Sequence, residues 1–353
     1  MSNSKRLTTP SELVAQGLVT AASLATLERV AERYAVSVLP AIARRIDRDD
    51  PMDPLARQFV PSAAELELAP EEASDPIGDA VHSPLPGIVH RYPDRVLLKP
   101  THVCPTYCRF CFRRESVGPS GPTLRSAELD AALAYIEARP RIFEVILSGG
   151  DPLVLSPRRL QQILSRLDAI AHLGALRIHT RVPVVDPDRV CDALLAALRT
   201  RKALWVVVHT NHVRELDDRA VAACAKLSDA GVPLLAQSVL LAGVNDSAQD
   251  LEALYRQLVR MRIKPYYLHH ADLAPGTRHF RVSLEHGREL LRELRGNVSG
   301  LCQPTYVLDL PGGYGKVPVG PMHVRPGERS GEWIVEDRMG HAHVYPPRTA
   351  ERS

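Results

Sequence analysis

The 353-residue chain has almost no excess of charge of either sign, a formal +3, and no run of lysine or arginine. This argues against a nucleic-acid binder, which concentrates its basic residues. No stretch approaches the roughly eighteen consecutive apolar residues that a membrane span needs. The opening residues, MSNSKRLTTPSELV, lack the apolar core of a signal peptide. A cytoplasmic protein is therefore expected. Internal repeats and low-complexity segments are absent. Cysteines are few: Cys104, Cys108, Cys111, Cys191, Cys224 and Cys302, with no second CxxC pair to suggest a zinc module. A disulfide framework belongs to short secreted chains, so a metal site in a reducing compartment fits better. What is present, 45% hydrophobic and 24% charged residues, suffices for one large domain with an extension.

The chain divides into three stretches: an extension over 1–88, a core over 89–303 and a C-terminal segment over 304–353. Thr9-Pro10-Ser11-Glu12 has the spacing of a capping box with proline at the first helical position. Helical periodicity continues through Leu24, Leu27, Val30 and Ala31. The Asp- and Pro-rich stretch from Asp47 to Pro93 reads as a wrapping connector with a short helix near Ala63 to Leu68. From Arg95 short apolar runs alternate with amphipathic stretches. Strands are expected at 96–99, 145–147, 176–179, 204–209, 233–238 and 266–269, with helices centred near 132, 163, 193, 224, 254 and 289. Such alternation implies parallel βαβ units, in a partial barrel or an open doubly wound sheet. A further strand is expected at 305–310 and another at 333–335.

Cys104-Pro-Thr-Tyr-Cys108-Arg-Phe-Cys111 directly follows the first strand of the α/β region, where such folds place their chemistry. Three thiolates on one loop can close around a soft metal centre. Zinc would want a fourth ligand, for which only His102 is near. Three ligands suit a cubane cluster that leaves one iron free. The CxxxCxxC spacing is similar to that of the radical S-adenosylmethionine (SAM) superfamily. The resemblance implies a partial (β/α)6 barrel, a [4Fe-4S] cluster on Cys104, Cys108 and Cys111, and SAM on the open iron. Ser148-Gly149-Gly150-Asp151-Pro152, after the second strand, resembles that superfamily's GGxP-type motif for the amino end of SAM. Glycines there permit close backbone approach to a ligand.

Pro311-Gly312-Gly313-Tyr314-Gly315-Lys316-Val317-Pro318 is not a P-loop, because the glycine spacing is wrong and valine follows the lysine. A lysine on a glycine-rich loop suits a Schiff base with pyridoxal 5′-phosphate (PLP). Together with the cysteine loop this motif resembles the lysine 2,3-aminomutase family. The resemblance extends from Asp50-Pro51-Met52-Asp53-Pro54 through His90-Arg91-Tyr92-Pro93-Asp94-Arg95, Gln237-Ser238-Val239 and Lys264-Pro265-Tyr266-Tyr267 to Asp309–Val319. It implies an isomerase that moves an amino group between adjacent carbons of lysine, with Lys316 as the catalytic, PLP-binding residue. Arg91, Tyr92 and Arg95 are then expected to hold PLP, and Ser148, Gly149, Gly150, Asp151 and Gln237 to line the cofactor sites. Arg113 is expected to fork onto the substrate carboxylate, and Asp272 and Asp309 to meet its side-chain ammonium. An electron donor of the flavodoxin or ferredoxin type is implied as well, and a homo-oligomer is compatible with the pattern.

The chain departs from longer relatives in having no cysteine after Cys302, so their C-terminal zinc is not expected. Phe110 and its neighbours resemble a shorter subgroup that makes (R)-β-lysine for elongation factor P. The same chemistry on ornithine or a lysine derivative, and a non-catalytic zinc protein, are the competing expectations.

Overall fold

The computed structural model describes residues 5–346. The expected capping box forms at α1 (Pro10–Ala15): the Thr9 hydroxyl accepts from Glu12 N–H and the Glu12 carboxylate accepts from Thr9 N–H. Helices α2 (Leu24–Arg33), α3 (Pro40–Ala43) and α4 (Pro54–Phe59) follow. Buried Asp53 caps α4, accepting from Leu55 and Ala56 N–H, and pairs at 2.7 Å with Arg214 of the core. The expected helix near 63–68 is a 3-10 turn, Ala63–Leu66, ending two residues early.

The core begins one strand sooner than expected, with β1 (Ile88–Tyr92) antiparallel to β2 (Arg95–Thr101). Then come α5 (Ser126–Glu137), β3 (Glu144–Gly149), α6 (Pro157–Ala169), β4 (Ala175–Thr180), α7 (Val182–Val185), α8 (Asp192–Ala197), β5 (Ala203–His209), α9 (Asp218–Asp229), β6 (Leu234–Leu240), α10 (Ala248–Arg260), β7 (Ile263–His270), α11 (Leu284–Asn297), β8 (Thr305–Leu310) and β9 (Gly315–Pro318). Strands β1 to β9 pair strictly in chain order, parallel from β2 to β8 and antiparallel at both edges. A doubly wound sheet would reverse its order at a switch point. Sequential order instead curls the sheet into an open barrel, which decides between the two expected folds. Strands β8 and β9 belong to this sheet, so the segment after 304 completes the barrel wall. A separate three-stranded sheet, β10 (Val324–Pro326), β11 (Trp333–Glu336) and β12 (Ala342–Tyr345), follows it.

The two faces of the barrel strands differ. Leu98, Val145, Leu147, Leu176, Ile178, Val206 and Val208 are buried in the apolar core. They meet helix rows such as Leu160, Ile163, Leu164 and Leu167 of α6, spaced one face apart. The alternate residues point inward, and many are polar. Among the described residues no helix is long and apolar enough to cross a membrane.

Candidate active site

A cavity of about 700 Å³ fills the barrel interior. Its walls follow the period of two that a strand imposes: Glu144, Ile146 and Ser148 from β3, Arg177 and His179 from β4, Gln237 and Val239 from β6, Thr305, Val307 and Asp309 from β8. All the residues expected to bind the cluster, SAM, PLP or substrate, from Arg91 to Lys316, line this one space.

At one side lies the cysteine loop. Cys104, Cys108 and Cys111 are free thiols, and burial raises the pKa of each, Cys111 to about 11. The loop's backbone runs against the glycine pair after β3: Gly150 N–H donates to Thr101 O at 2.8 Å and Asp151 N–H to Val103 O at 2.9 Å. A Cβ on Gly150 would lie 2.3 Å from Val103 O, so only glycine permits this approach. Asp151 is buried, and its carboxylate accepts from Thr180 Oγ1 and from the backbone N–H of Leu153, Arg181 and Val182. It thereby ties β3 to β4 beneath the loop.

Two buried ion networks grip the loop, and neither was foreseen from the sequence. Glu65, fully buried in the connector, accepts from Arg109 Nε at 2.9 Å and from Arg114 Nη2. Arg181 donates to Cys108 Sγ at 3.0 Å and pairs with buried Glu215, which also holds Gln58 at 3.1 Å.

The other side of the cavity holds Lys316. Its ammonium is ion-paired with Asp309, and Nζ lies 3.2 Å from His269 Nδ1. Its backbone N–H donates to Tyr92 Oη at 2.7 Å, so the two edge strands of the barrel meet there. A Cβ on Gly315, whose φ is +95°, would lie 2.9 Å from that hydroxyl. Burial opposes ionisation of Asp309, but the neighbouring His269 ring and the Lys316 cation outweigh it and hold this carboxyl well below the usual range. Asp272 behaves oppositely: burial first, then the Asp309 charge, push it up to about 7. Arg113 forks onto Asp79 at 2.9 and 2.7 Å, and Arg91 approaches the same carboxylate at 3.3 Å. Asp79 was missed in the sequence, where Asp-Pro-rich composition suggested only a connector. The Arg95 guanidinium stacks 3.8 Å from the Tyr92 ring centroid.

The profile of the Radical SAM superfamily matches residues 98–258. The L-lysine 2,3-aminomutase of Acetoanaerobium sticklandii is 42% identical over 84% of this chain and 72% of its own length. That of Clostridium subterminale is 43% identical over 82% and 70%. The chain belongs to the lysine 2,3-aminomutase family. A glutamate 2,3-aminomutase from Clostridioides difficile is more distant, 35% identical over 84% of this chain and 70% of its own length. As an aminomutase of this family the protein is an isomerase that uses a [4Fe-4S] cluster, SAM and PLP.

The side chains suit these groups. Three half-buried thiols with raised pKa are costly to ionise alone, and a soft cationic cluster relieves that cost. Among the described residues no three His, Cys, Asp or Glu side chains are grouped to hold a single metal ion. Three cysteines on one loop accord with a [4Fe-4S] cluster that leaves one iron open. Buried His179 Nε2 and His209 Nε2 line the cavity and have no hydrogen-bond partner among the described residues, as suits polar groups that face a ligand.

Proposed function

We propose that this aminomutase converts L-lysine into β-lysine. The observation that carries the proposal is the placement of Arg113, Asp272 and Asp309 around the cavity that also holds Lys316 and the cysteines. When bound, the cluster supplies an electron, SAM the hydrogen-abstracting radical, and PLP the π-system across which nitrogen migrates. Cys104, Cys108 and Cys111 would hold the cluster, and Ser148, Gly149, Gly150 and Gln237 would line the SAM site, with Asp151 fixing the turn from behind. Lys316 would carry PLP, with Arg91, Tyr92 and Arg95 around it. Arg113 takes the lysine carboxylate in place of Asp79, and Asp309 takes the side-chain ammonium in place of Lys316. Asp79 and Lys316 thus already set a carboxylate on the arginine and an ammonium on the aspartate. Glutamate would instead face Asp272 and Asp309 with a third carboxylate, which is costly in a buried site. An external flavodoxin- or ferredoxin-type donor in a reducing cytoplasm would provide the electron.

Anaerobic reconstitution tests this. About four irons per chain, β-lysine formed from lysine, and a borohydride-fixed PLP adduct on Lys316 are the expected results. An adduct on another lysine, or no β-lysine from fully loaded protein, would refute the assignment.

Asp272 makes the substrate affinity depend on pH. With its pKa near 7, it is neutral below that pH and an anion above it. Only the anion attracts an ammonium. Lysine KM should therefore rise as pH falls below about 7, towards the value of the Asp272→Asn variant because Asp309 stays ionised, and level off above it. The Asp272→Asn variant should lack this rise; a parent profile equally flat from pH 6 to 8 would contradict the role.

A further inference from the structure

His269, on the inner face of β7, has no part in the assignments above. Its Nδ1 lies 3.2 Å from Lys316 Nζ and 3.5 Å from Asp309 Oδ2. Among the described residues Asp309 and His269 are the two groups within hydrogen-bond distance of that Nζ. A lysine nitrogen must lose a proton before its lone pair can attack a carbonyl carbon. The neighbouring carboxylate is a poor acceptor for that proton, because it is the stronger acid and already serves as the counter-ion. A neutral imidazole is apt.

We infer that His269 is a catalytic residue, the base that takes the proton from Lys316 before its bond to PLP forms and the acid that returns it. The inference rests on Lys316 being the PLP-bearing lysine. A proton passes from Nζ to Nδ1, and Asp309 then faces an imidazolium instead of an ammonium, so its negative charge stays paired. The Nζ lone pair forms a bond to the aldehyde carbon. The carbonyl oxygen takes one further proton from Nζ and the proton held by His269, and leaves as water. The sum is ammonium plus aldehyde giving protonated C=N plus water, with His269 unchanged. The charged and titratable groups facing His269 are Lys316 and Asp309 from β9 and β8, His179 from β4, His209 from β5 and Tyr267 on its own strand. Burial and Lys316 lower its pKa and Asp309 counters them, with burial the largest effect. The ring is therefore neutral, and able to accept a proton, at neutral pH.

The test is rapid mixing of PLP-free protein with PLP across a pH series, following the visible absorption of the C=N bond, for the parent, His269→Gln and His269→Phe. At neutral pH both variants should form the bond roughly a hundredfold more slowly. Their rates should climb steadily with pH as hydroxide takes over, and added imidazole should partly restore His269→Gln. In the parent the rate should rise by one proton's dependence in the acid range and be level by neutrality. Borohydride capture separates the two levels of the argument. An adduct away from Lys316 in the parent overturns the assignment of the lysine. An adduct on Lys316 with variant rates and profiles equal to the parent's overturns the role of His269 alone. Should the variants lose their fold, the parent profile still decides, and a rate that keeps climbing with pH through neutrality, as hydroxide-driven bond formation would, overturns the inference.

Discussion

Lysine turnover should collapse in the Asp309→Asn variant, by two to nearly four orders of magnitude, while iron content and the fold persist. Asparagine keeps the shape and removes the charge. In the resting site that charge balances Lys316 and sits beside His269. In the proposed complex it balances the substrate's ammonium, desolvated in the barrel. Removing one partner of a buried pair costs about 3–5 kcal/mol. Each 1.4 kcal/mol is about tenfold in rate or affinity, which gives the expected range. The Asp272→Asn variant should lose less, because Asp272 is itself part-protonated near neutral pH. The contrast is informative, since a loss caused merely by disturbed packing would not rank the two aspartates this way. The check is β-lysine formation at saturating PLP and SAM, with iron measured on the same sample. If Asp309→Asn processes lysine at the parent rate, the distal carboxylates do not read an ammonium. A substrate without a distal amine would then be the better candidate.

The βα rhythm, the cysteine loop and the glycine-lysine turn were legible because each is local. Apolar runs announced β2 to β8 within a few residues, and the CxxxCxxC spacing needs no tertiary knowledge. The barrel was expected from the family resemblance and not from the strand pattern, because apolar periodicity says nothing of which strands are neighbours. One signal could have helped. Central parallel strands covered by helices on both faces read as continuous apolar runs. Here Arg95 and Leu97 alternate with Val96 and Leu98, and Arg177 and His179 with Leu176 and Ile178. Charge on every second residue of a parallel strand marks an interior that is not a helix-packed face. Edge strands β1 and β9 were lost among prolines and glycines that read as turns. The ion networks were hidden for another reason: Arg113 meets Asp79 across 34 residues, and Gln58 meets Glu215 across 157. A lone acidic residue in an Asp- and Glu-rich connector looks solvated, and only the fold reveals its partner.

Glu65 is the residue most hidden in this way, and its removal should be the most damaging change outside the cavity. It sits in the 3-10 turn after Ser62, fully buried, between two arginines of the cysteine loop. Arg109 reaches it at 2.9 and 3.1 Å through Nε and at 2.5 Å through Nη2, and also donates to Ala35 O. Arg114 donates to it and to the carbonyls of Pro275 and Gly276, and its guanidinium lies 3.6 Å from the Tyr34 ring centroid. One carboxylate thus fastens the connector, α2 and the segment after β7 to the loop that bears the cysteines. In Glu65→Gln the shape remains, but two guanidinium groups lose their buried counter-charge. That should cost about 3–5 kcal/mol, a large part of the total stability of an ordinary domain. Acid should act in the same direction. Burial would raise the Glu65 pKa, but Arg109 and Arg114 more than offset it and keep it below the usual carboxylate range. A depressed carboxyl stabilises the fold above its unfolded pKa and loses that contribution as pH falls through the folded value. The parent should therefore destabilise in acid more steeply than Glu65→Gln, which has no such proton to take up. Chemical denaturation at neutral and acid pH, with iron retained per chain as a second readout, measures both effects. The variant should unfold at markedly lower denaturant and keep less iron although every cysteine is intact. Equal midpoints and equal iron would mean that the cysteine loop holds its shape without the connector.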